Sequence, residues 1–202
     1  VADIDNGLSS YSYSNQVKLL VFGGYLLMPN IDSKELAGFF KKLKDQNYII
    51  ILDIAVTNNQ TGVSDKIKDV LPFVDYFFPN VDESFQITNL EKPQDQAKCF
   101  MDWGAKAIAI TCGTEGVFFK DLENVYQLEP YKIDFVDGSG SGDAFTAGMA
   151  IGISESWPTL DSLKFGAVLG ASVCRGLGCN TTLFSRDEAL NAMSKIQVRS
   201  LV

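Results

Sequence analysis

Short runs of β-branched and aromatic residues alternate with amphipathic stretches along most of this chain, and that alternation admits few architectures. Strand-like runs fall at 18–22, 48–52, 76–78, 107–110, 117–119 and 125–128, with helical patterns at 33–43, 65–71, 82–89 and 94–102 between them. In the first helical pattern Leu36, Phe39, Phe40 and Leu43 share one face, and Ser33 stands where a cap belongs. Beyond residue 128 the texture turns small and apolar, at 144–153 and again at 160–177, with Pro158 between them. Helices so apolar on most sides are buried ones. A terminal amphipathic helix is expected at 186–196. Together these elements predict βα units stacked on a mostly parallel sheet. With 202 residues and no repeat or linker-like tract, one domain is expected.

Composition removes whole classes of chemistry. The chain has no histidine, so neither a Ser-His-Asp or Cys-His catalytic unit nor an imidazole-bound zinc site can be assembled. Cys99, Cys112, Cys174 and Cys179 contain no C-x-x-C pair, and they read as buried free thiols suited to a reducing cytoplasm. A formal net charge of -8 argues against nucleic acid as a partner, because phosphate neutralisation needs a basic face. No stretch approaches the roughly 20 apolar residues that span a bilayer, and the polar start at 1–14 is unlike a signal peptide. The expectation is a cytoplasmic protein with no membrane partner.

Phe135-Val136-Asp137-Gly138-Ser139-Gly140-Ser141-Gly142-Asp143-Ala144-Phe145 is the segment whose composition needs a special explanation. Alternating glycines let successive backbone N–H groups face one concavity, and the helix that follows adds its positive end, which suits phosphate oxygens. It is not a Walker A loop, because no Gly-Lys-Ser/Thr follows; nor is it the dinucleotide fingerprint or a nucleophile elbow. An aspartate inside an anion-binding turn makes sense if a hydroxyl must lose its proton beside the phosphoryl group it attacks, which would make Asp143 a general base. The alternative is that Ser141 or Asp143 is only a helix cap and the glycines only permit a tight turn.

In open α/β sheets ligands bind beyond the carboxyl ends of strands, and several polar residues fall there. Asp53 follows the second strand. Asn80 and Glu83, three apart at a helix start, could hold a hydrated magnesium ion through water, or could simply cap the helix. Thr111-Cys112-Gly113-Thr114-Glu115-Gly116 follows the fourth strand, either as part of the site or as a turn joining two hairpin strands.

On these residues the chain resembles the ribokinase or PfkB carbohydrate kinase family. The family signature D-T-T-G-A-G-D-A-F stands here as 137–145, its N-x-x-E as Asn80-Val81-Asp82-Glu83, and its T-x-G-x-x-G as 111–116. Its tail is echoed by Gly178-Cys179 and Ser185-Arg186-Asp187-Glu188. The resemblance implies a ribokinase-like fold, a Rossmann-like three-layer α/β/α sandwich with a mostly parallel central sheet. It implies an ATP-dependent sugar kinase in which Asp143 activates the acceptor hydroxyl and the backbone of Gly140, Ser141 and Gly142 forms the anion hole. Asn80 would touch the nucleotide phosphates and Glu83 would order the magnesium hydration shell. Thr111, Gly113 and Gly116 would line the nucleotide, with Ala167 and Ala171 near the adenine. Asp137 and the Ser139 carbonyl would match the potassium site of many members, with Thr182 a further candidate for that ion.

The resemblance also implies a small-molecule sugar or sugar-like alcohol as acceptor and a homodimer as the usual assembly. The changes to Gly138, Ser139, Ser141 and Cys179 exchange small residues for small ones. The larger departure is at the front: the chain begins with Val1 and enters the fold near 18–25, so the family's sugar-binding N-terminal portion and lid are expected to be missing. Two rivals follow. One is a vitamin kinase of the same superfamily, acting on a pyridoxal or hydroxymethylpyrimidine alcohol; the other is a nucleotide-binding protein without complete catalytic machinery.

Overall fold

The computed structural model describes residues 17–57 and 60–201, so the polar stretch at 1–14 lies outside the described residues. The chain divides into two compact units, 1–108 and 109–202.

The first unit is a run of βα units. It carries β1 (Leu19–Phe22), α1 (Ser33–Asp45), β2 (Ile49–Asp53), α2 (Val63–Val70), β3 (Tyr76–Phe78), α3 (Val81–Thr88), α4 (Pro93–Asp102) and the start of β4 (Ala107–Thr111). The strands pair in chain order and in parallel, with Leu20 opposite Ile50, Ile51 opposite Tyr76, and Phe77 opposite Ile108. Parallel neighbours need long crossovers, and the helices between these strands supply them. Ile50, Ile51, Leu52, Phe77 and Ile108 are fully buried, as continuous apolar runs in a covered parallel sheet should be. The predicted face of α1 is buried as expected through Leu36, Phe39, Phe40 and Leu43. Its cap differs: Asp32 accepts from the N–H groups of Lys34 and Glu35, while the Ser33 hydroxyl donates to Asp69 Oδ2 at 2.6 Å.

Asp75, just before β3, ties three elements of this unit together. Its carboxylate accepts from the Lys44 ammonium at the end of α1, from Lys106 Nζ at 2.9 Å, and from the Ile50 N–H of β2 at 2.8 Å. Burial alone would raise this acid, but the hydrogen bonds from Lys44, Lys106 and Ile50 outweigh it and hold its pKa below the ordinary value.

The second unit contains the rest of β4, then β5 (Val117–Lys120), β6 (Val125–Leu128), α5 (Ser141–Ser154), α6 (Thr159–Val173), α7 (Arg186–Met193) and β7 (Val198–Ser200). β5, β6 and β7 are antiparallel neighbours, with Phe119 opposite Tyr126 and Gln127 opposite Arg199. α5 and α6 are apolar on most sides and pack through glycine: a methyl group on Gly148 would lie 2.6 Å from Gly166 Cα. One on Gly170 would lie 3.0 Å from the Ser141 carbonyl oxygen. The Arg186 guanidinium grips Glu155 in a fork, at 2.7 and 2.5 Å, and joins the start of α7 to the end of α5.

Three expectations are corrected. The helix expected at 160–177 ends at Val173, because the chain turns at Cys174 and reaches a left-handed Gly178, leaving Leu177 exposed. The terminal helix ends at Met193 rather than 196, and the three-residue β7 follows it. All four cysteines are free, but only Cys174 is buried; Cys99 and Cys112 are half-buried and Cys179 is exposed. Among the described residues no helix is long and apolar enough to cross a membrane.

Asp75→Ala is expected to destabilise the protein by about 3 kcal/mol, since it strands two ammonium groups and a strand N–H. Because folding depresses the acid's pKa, its stabilisation is present above the ordinary carboxylate range and is lost as pH falls through the folded value. Denaturant titration should therefore show wild type and Asp75→Asn converging below about pH 4. A gap that does not change with pH would remove this role.

Candidate functional site

The glycine-rich segment forms the entry to α5. Gly140 is its N-terminal cap residue in the left-handed conformation, φ 79°, and provides no side-chain cap. A methyl group there would come within 2.7–2.8 Å of the Cβ, Cα and carbonyl oxygen of Cys179, so the turn is seated directly on that backbone. The Ser141 N–H donates to the Gly138 carbonyl at 3.2 Å and the Ala144 N–H to Gly140 at 2.9 Å. The N–H groups of Gly140, Gly142 and Asp143 have no acceptor among the described residues. They lie at the positive end of a 14-residue helix, which is the arrangement that holds an anion. Asp143 is in the first turn of α5, exposed.

Beside this turn opens a cavity of about 650 Å³ that lies entirely within the second unit. Thr111, Gly113, Gly116, Ala167 and Ala171 line it, and Ser141 belongs to both the cavity and the glycine-rich turn. The structure thus brings six of the sequence-derived residues to one space. Gly116 is fixed there by its backbone, φ 84° and ψ -131°, a region open essentially to glycine alone, and a methyl group would collide with the Leu128 carbonyl oxygen. The 111–116 loop closes through the Cys112 N–H donating to Gly116 at 2.8 Å, around a 3-10 turn at Gly113–Glu115. Burial pushes the Cys112 thiol up to about 11, which keeps it protonated and unreactive.

Asp137, Ser139 and Thr182 are tied to the C-terminal end of α6 or to one another. The N–H groups of Val136 and Asp137 donate to the Cys174 carbonyl at 2.8 and 3.3 Å. Asp137 Oδ1 accepts from the Ser139 hydroxyl at 3.2 Å. The Thr182 hydroxyl donates to the Ser172 and Val173 carbonyls, each at 3.0 Å. A helix C-terminus with a carboxylate nearby favours a cation.

Asn80 and Glu83 lie in the first unit, at the start of α3. They form a reciprocal capping box: the Glu83 N–H donates to Asn80 Oδ1 and the Asn80 N–H to Glu83 Oε2, both at 2.8 Å. Glu83 is only 9% exposed, and that burial raises its pKa despite N–H donors from Asn80 and Val56. Among the described residues no cluster of three or more His, Cys, Asp or Glu could hold a metal directly.

Comparison with known proteins decides the family. The model of the pfkB family carbohydrate kinases matches residues 4–185. The chain belongs to the pfkB family. Its relatives include an ATP-dependent 6-phosphofructokinase of Thermoanaerobacterium thermosaccharolyticum, 30% identical over 55% of this chain and 35% of the relative. A 2-dehydro-3-deoxygluconokinase of Bacillus subtilis is 29% identical over 67% of this chain and 42% of the relative. The chain therefore spans less than half the length of these two relatives. Among solved structures, an aminoimidazole riboside kinase of Salmonella enterica, complexed with aminoimidazole riboside and an ATP analogue, superposes with a TM-score of 0.78 at 18% identity, covering 88% of this chain and 63% of that one. Phosphofructokinase-2 of Escherichia coli in complex with potassium gives 0.72 at 20% identity, covering 88% and 56%. An E. coli protein assigned as a ribokinase II, with ATP and Mg2+, gives 0.76 at 16% identity, covering 88% and 59%. The fold is ribokinase-like.

For this pfkB chain the sequence missed the stretch just before the glycine-rich segment. Tyr131, Lys132 and Ile133 line the cavity from a stretch without regular structure, and Phe135, the first residue of the segment singled out above, lines it with them. The available signal was position: a mixed aromatic and apolar run directly before the glycine-rich turn.

Gly140→Ala should lower the unfolding free energy by about 1–3 kcal/mol, from the left-handed backbone and the collision with Cys179. Gly142→Ala meets nothing within 4 Å and should melt within a degree or two of wild type. Equal melting temperatures for the two variants would contradict the seating of the turn on Cys179.

Proposed function

We propose that this pfkB chain serves an ATP-dependent kinase that moves the γ-phosphoryl group of ATP to a carbohydrate hydroxyl. One observation carries the reading: an exposed carboxylate, Asp143, stands in the same helix turn as unengaged backbone amides, beside a nucleotide-sized apolar cavity. The amides hold and neutralise the equatorial oxygens of the transferring group without moving, because a helix start fixes them. Asp143 accepts the acceptor hydroxyl proton as the new O–P bond forms and the bond to ADP breaks. The apolar walls around Ala167, Ala171 and Gly116 exclude water from the nucleotide.

Two ions belong to this reading. Asn80 and the buried Glu83 would order the water shell of Mg2+, which supplies positive charge to the phosphates when bound. The Asp137 carboxylate and the Ser139 carbonyl would hold K+; Thr182, its proton committed to α6 carbonyls, has lone pairs left to offer. Capping and magnesium ordering are compatible for Glu83, because a carboxylate has more acceptor sites than the N–H groups of Asn80 and Val56 use.

Asp143→Asn is the central test, read as ADP release with Mg2+ and K+ across a panel of sugars. Sugar-stimulated turnover should fall by at least about a hundredfold while ATP affinity stays within a few fold. Near wild-type turnover in the variant would rule out Asp143 as the base. Lack of stimulation by any sugar in wild type would rule out the carbohydrate acceptor for this chain.

A further inference from the structure

The glycine-rich turn leans on a loop whose middle has little to hold it. Gly140 is seated on Cys179, and Cys179 belongs to the stretch that leaves α6 at Cys174 and returns at Phe184. Leu177, Gly178, Cys179, Asn180 and Thr181 are all exposed, so no buried apolar side chain anchors the middle of this loop. Segments of that kind open most easily. The Thr181 hydroxyl donates to the Leu177 carbonyl at 2.5 Å and the Leu183 N–H to the Asn180 carbonyl at 3.2 Å. These bonds shape the loop without attaching it to the helix.

Attachment is at the base, and Arg175 makes it. Its Nε donates to the Ser172 carbonyl in the last turn of α6 at 3.0 Å, and its Nη2 to the Thr182 carbonyl at 2.6 Å. One guanidinium thus spans the outgoing and the returning legs of the loop. The Thr182 hydroxyl also reaches the Ser172 and Val173 carbonyls, but it has a single proton for the two. The legs touch beside it, where a methyl group on Gly176 would lie 2.7 Å from Thr182 Cγ2. The guanidinium carbon also stands 4.1 Å from the centre of the Phe184 ring, and Phe184 meets the cavity residue Tyr131 edge-on at 6.1 Å. The entry to the turn is held separately, through Val136 and Asp137 on the Cys174 carbonyl, so what the loop sets is the place of Gly140 and of the amides after it.

We infer that Arg175 is a positioning residue for the glycine-rich turn: by bridging the Ser172 and Thr182 carbonyls it closes the base of the loop, and the closed loop holds Cys179 behind Gly140. It acts through Cys179, and its consequence for phosphate rests on the kinase reading given above. Arginine suits the task because its flat fork presents two N–H groups and a stacking face together, which lysine does not. Its charge also lies at the negative end of α6, so a charge effect on the helix has to be separated from the bridge.

Amide NMR of the full chain without ligand makes that separation, with Arg175→Lys keeping the charge and losing the fork. The signals of Gly140, Gly142 and Asp143 are expected to move, while those of Leu122 and Glu123, between β5 and β6 of the same unit, stay in place. A dispersed spectrum shows at once that the variant has folded. Turn signals that stay put in Arg175→Lys overturn the inference, even where Arg175→Ala moves them, because the charge alone would then suffice. Titration with Mg2+ and ATP gives a second readout: Arg175→Lys should weaken ATP binding about five- to thirtyfold. Combined with Gly140→Ala, it should bind ATP no more than about threefold worse than the weaker of the two single variants, since both changes act at one seat. Losses that multiply would mark independent effects and overturn the inference. If wild type binds no ATP, the nucleotide reading fails, and the amide signals alone uphold or overturn the place of Arg175.

Discussion

The site depends on a helix contact that leaves no room for side chains. Where α5 crosses α6, a methyl group on Gly148, Gly166 or Gly170 would press on the backbone of the other helix. Close approach at Gly170 and Ser141 fixes where α5 begins, and the beginning of α5 is where the free amides and Asp143 are. The same approach makes α6 the wall of the cavity through Ala167, Gly170 and Ala171. The glycine-rich turn and the cavity wall are thus two consequences of one packing constraint. A larger residue at the crossing would push the turn away from the cavity it serves.

Much of this was legible in the sequence, for reasons that differ from element to element. The strands of the first unit are fully buried, so Ile50 to Leu52 and Phe77 appear as uninterrupted apolar runs. The face of α1 follows helical spacing. The ends were harder, because they depend on single turns: α6 stops at Val173 although the apolar texture runs on to Leu177. β7 was invisible, since three residues with Arg199 and Ser200 exposed carry no alternation, and its place is set by pairing with β6 and by Arg199 reaching Glu129 at 2.8 Å.

The candidate site shows the same division. The glycine-rich turn could be singled out from its own residues, because alternating glycines before a helix have few other uses, whereas Gly116, Ala167 and Ala171 were named only through the family resemblance. Tyr131, Lys132 and Ile133 could not, since a run without regular structure reveals no face by periodicity. Asn80 and Glu83 were read both as caps and as metal-ordering groups, and the reciprocal bonds at 2.8 Å realise the first reading. A cap that buries its carboxylate to 9% exposure is nonetheless unusual, because charged groups so buried carry a desolvation cost that an ordinary surface cap avoids. That cost is what the magnesium-ordering role proposed for Glu83 would account for.

The chain's acidity is consistent with anion binding once the donor is considered. With a net charge of -8 it has no excess of cations to spend on phosphate, and in the proposed reading the turn at 138–143 offers neutral amides instead. Amides at a helix start attract phosphate oxygens through fixed dipoles, need no counter-charge when empty, and lose no side-chain freedom when filled. The choice also matters for the proton. An ammonium beside a catalytic carboxylate would stabilise its charged form and oppose proton uptake, whereas dipoles spread over several N–H groups act most strongly on the anion they point at. In the kinase proposed above, a turn without lysine is thus the environment in which Asp143 would stand next to phosphate and still act as a base.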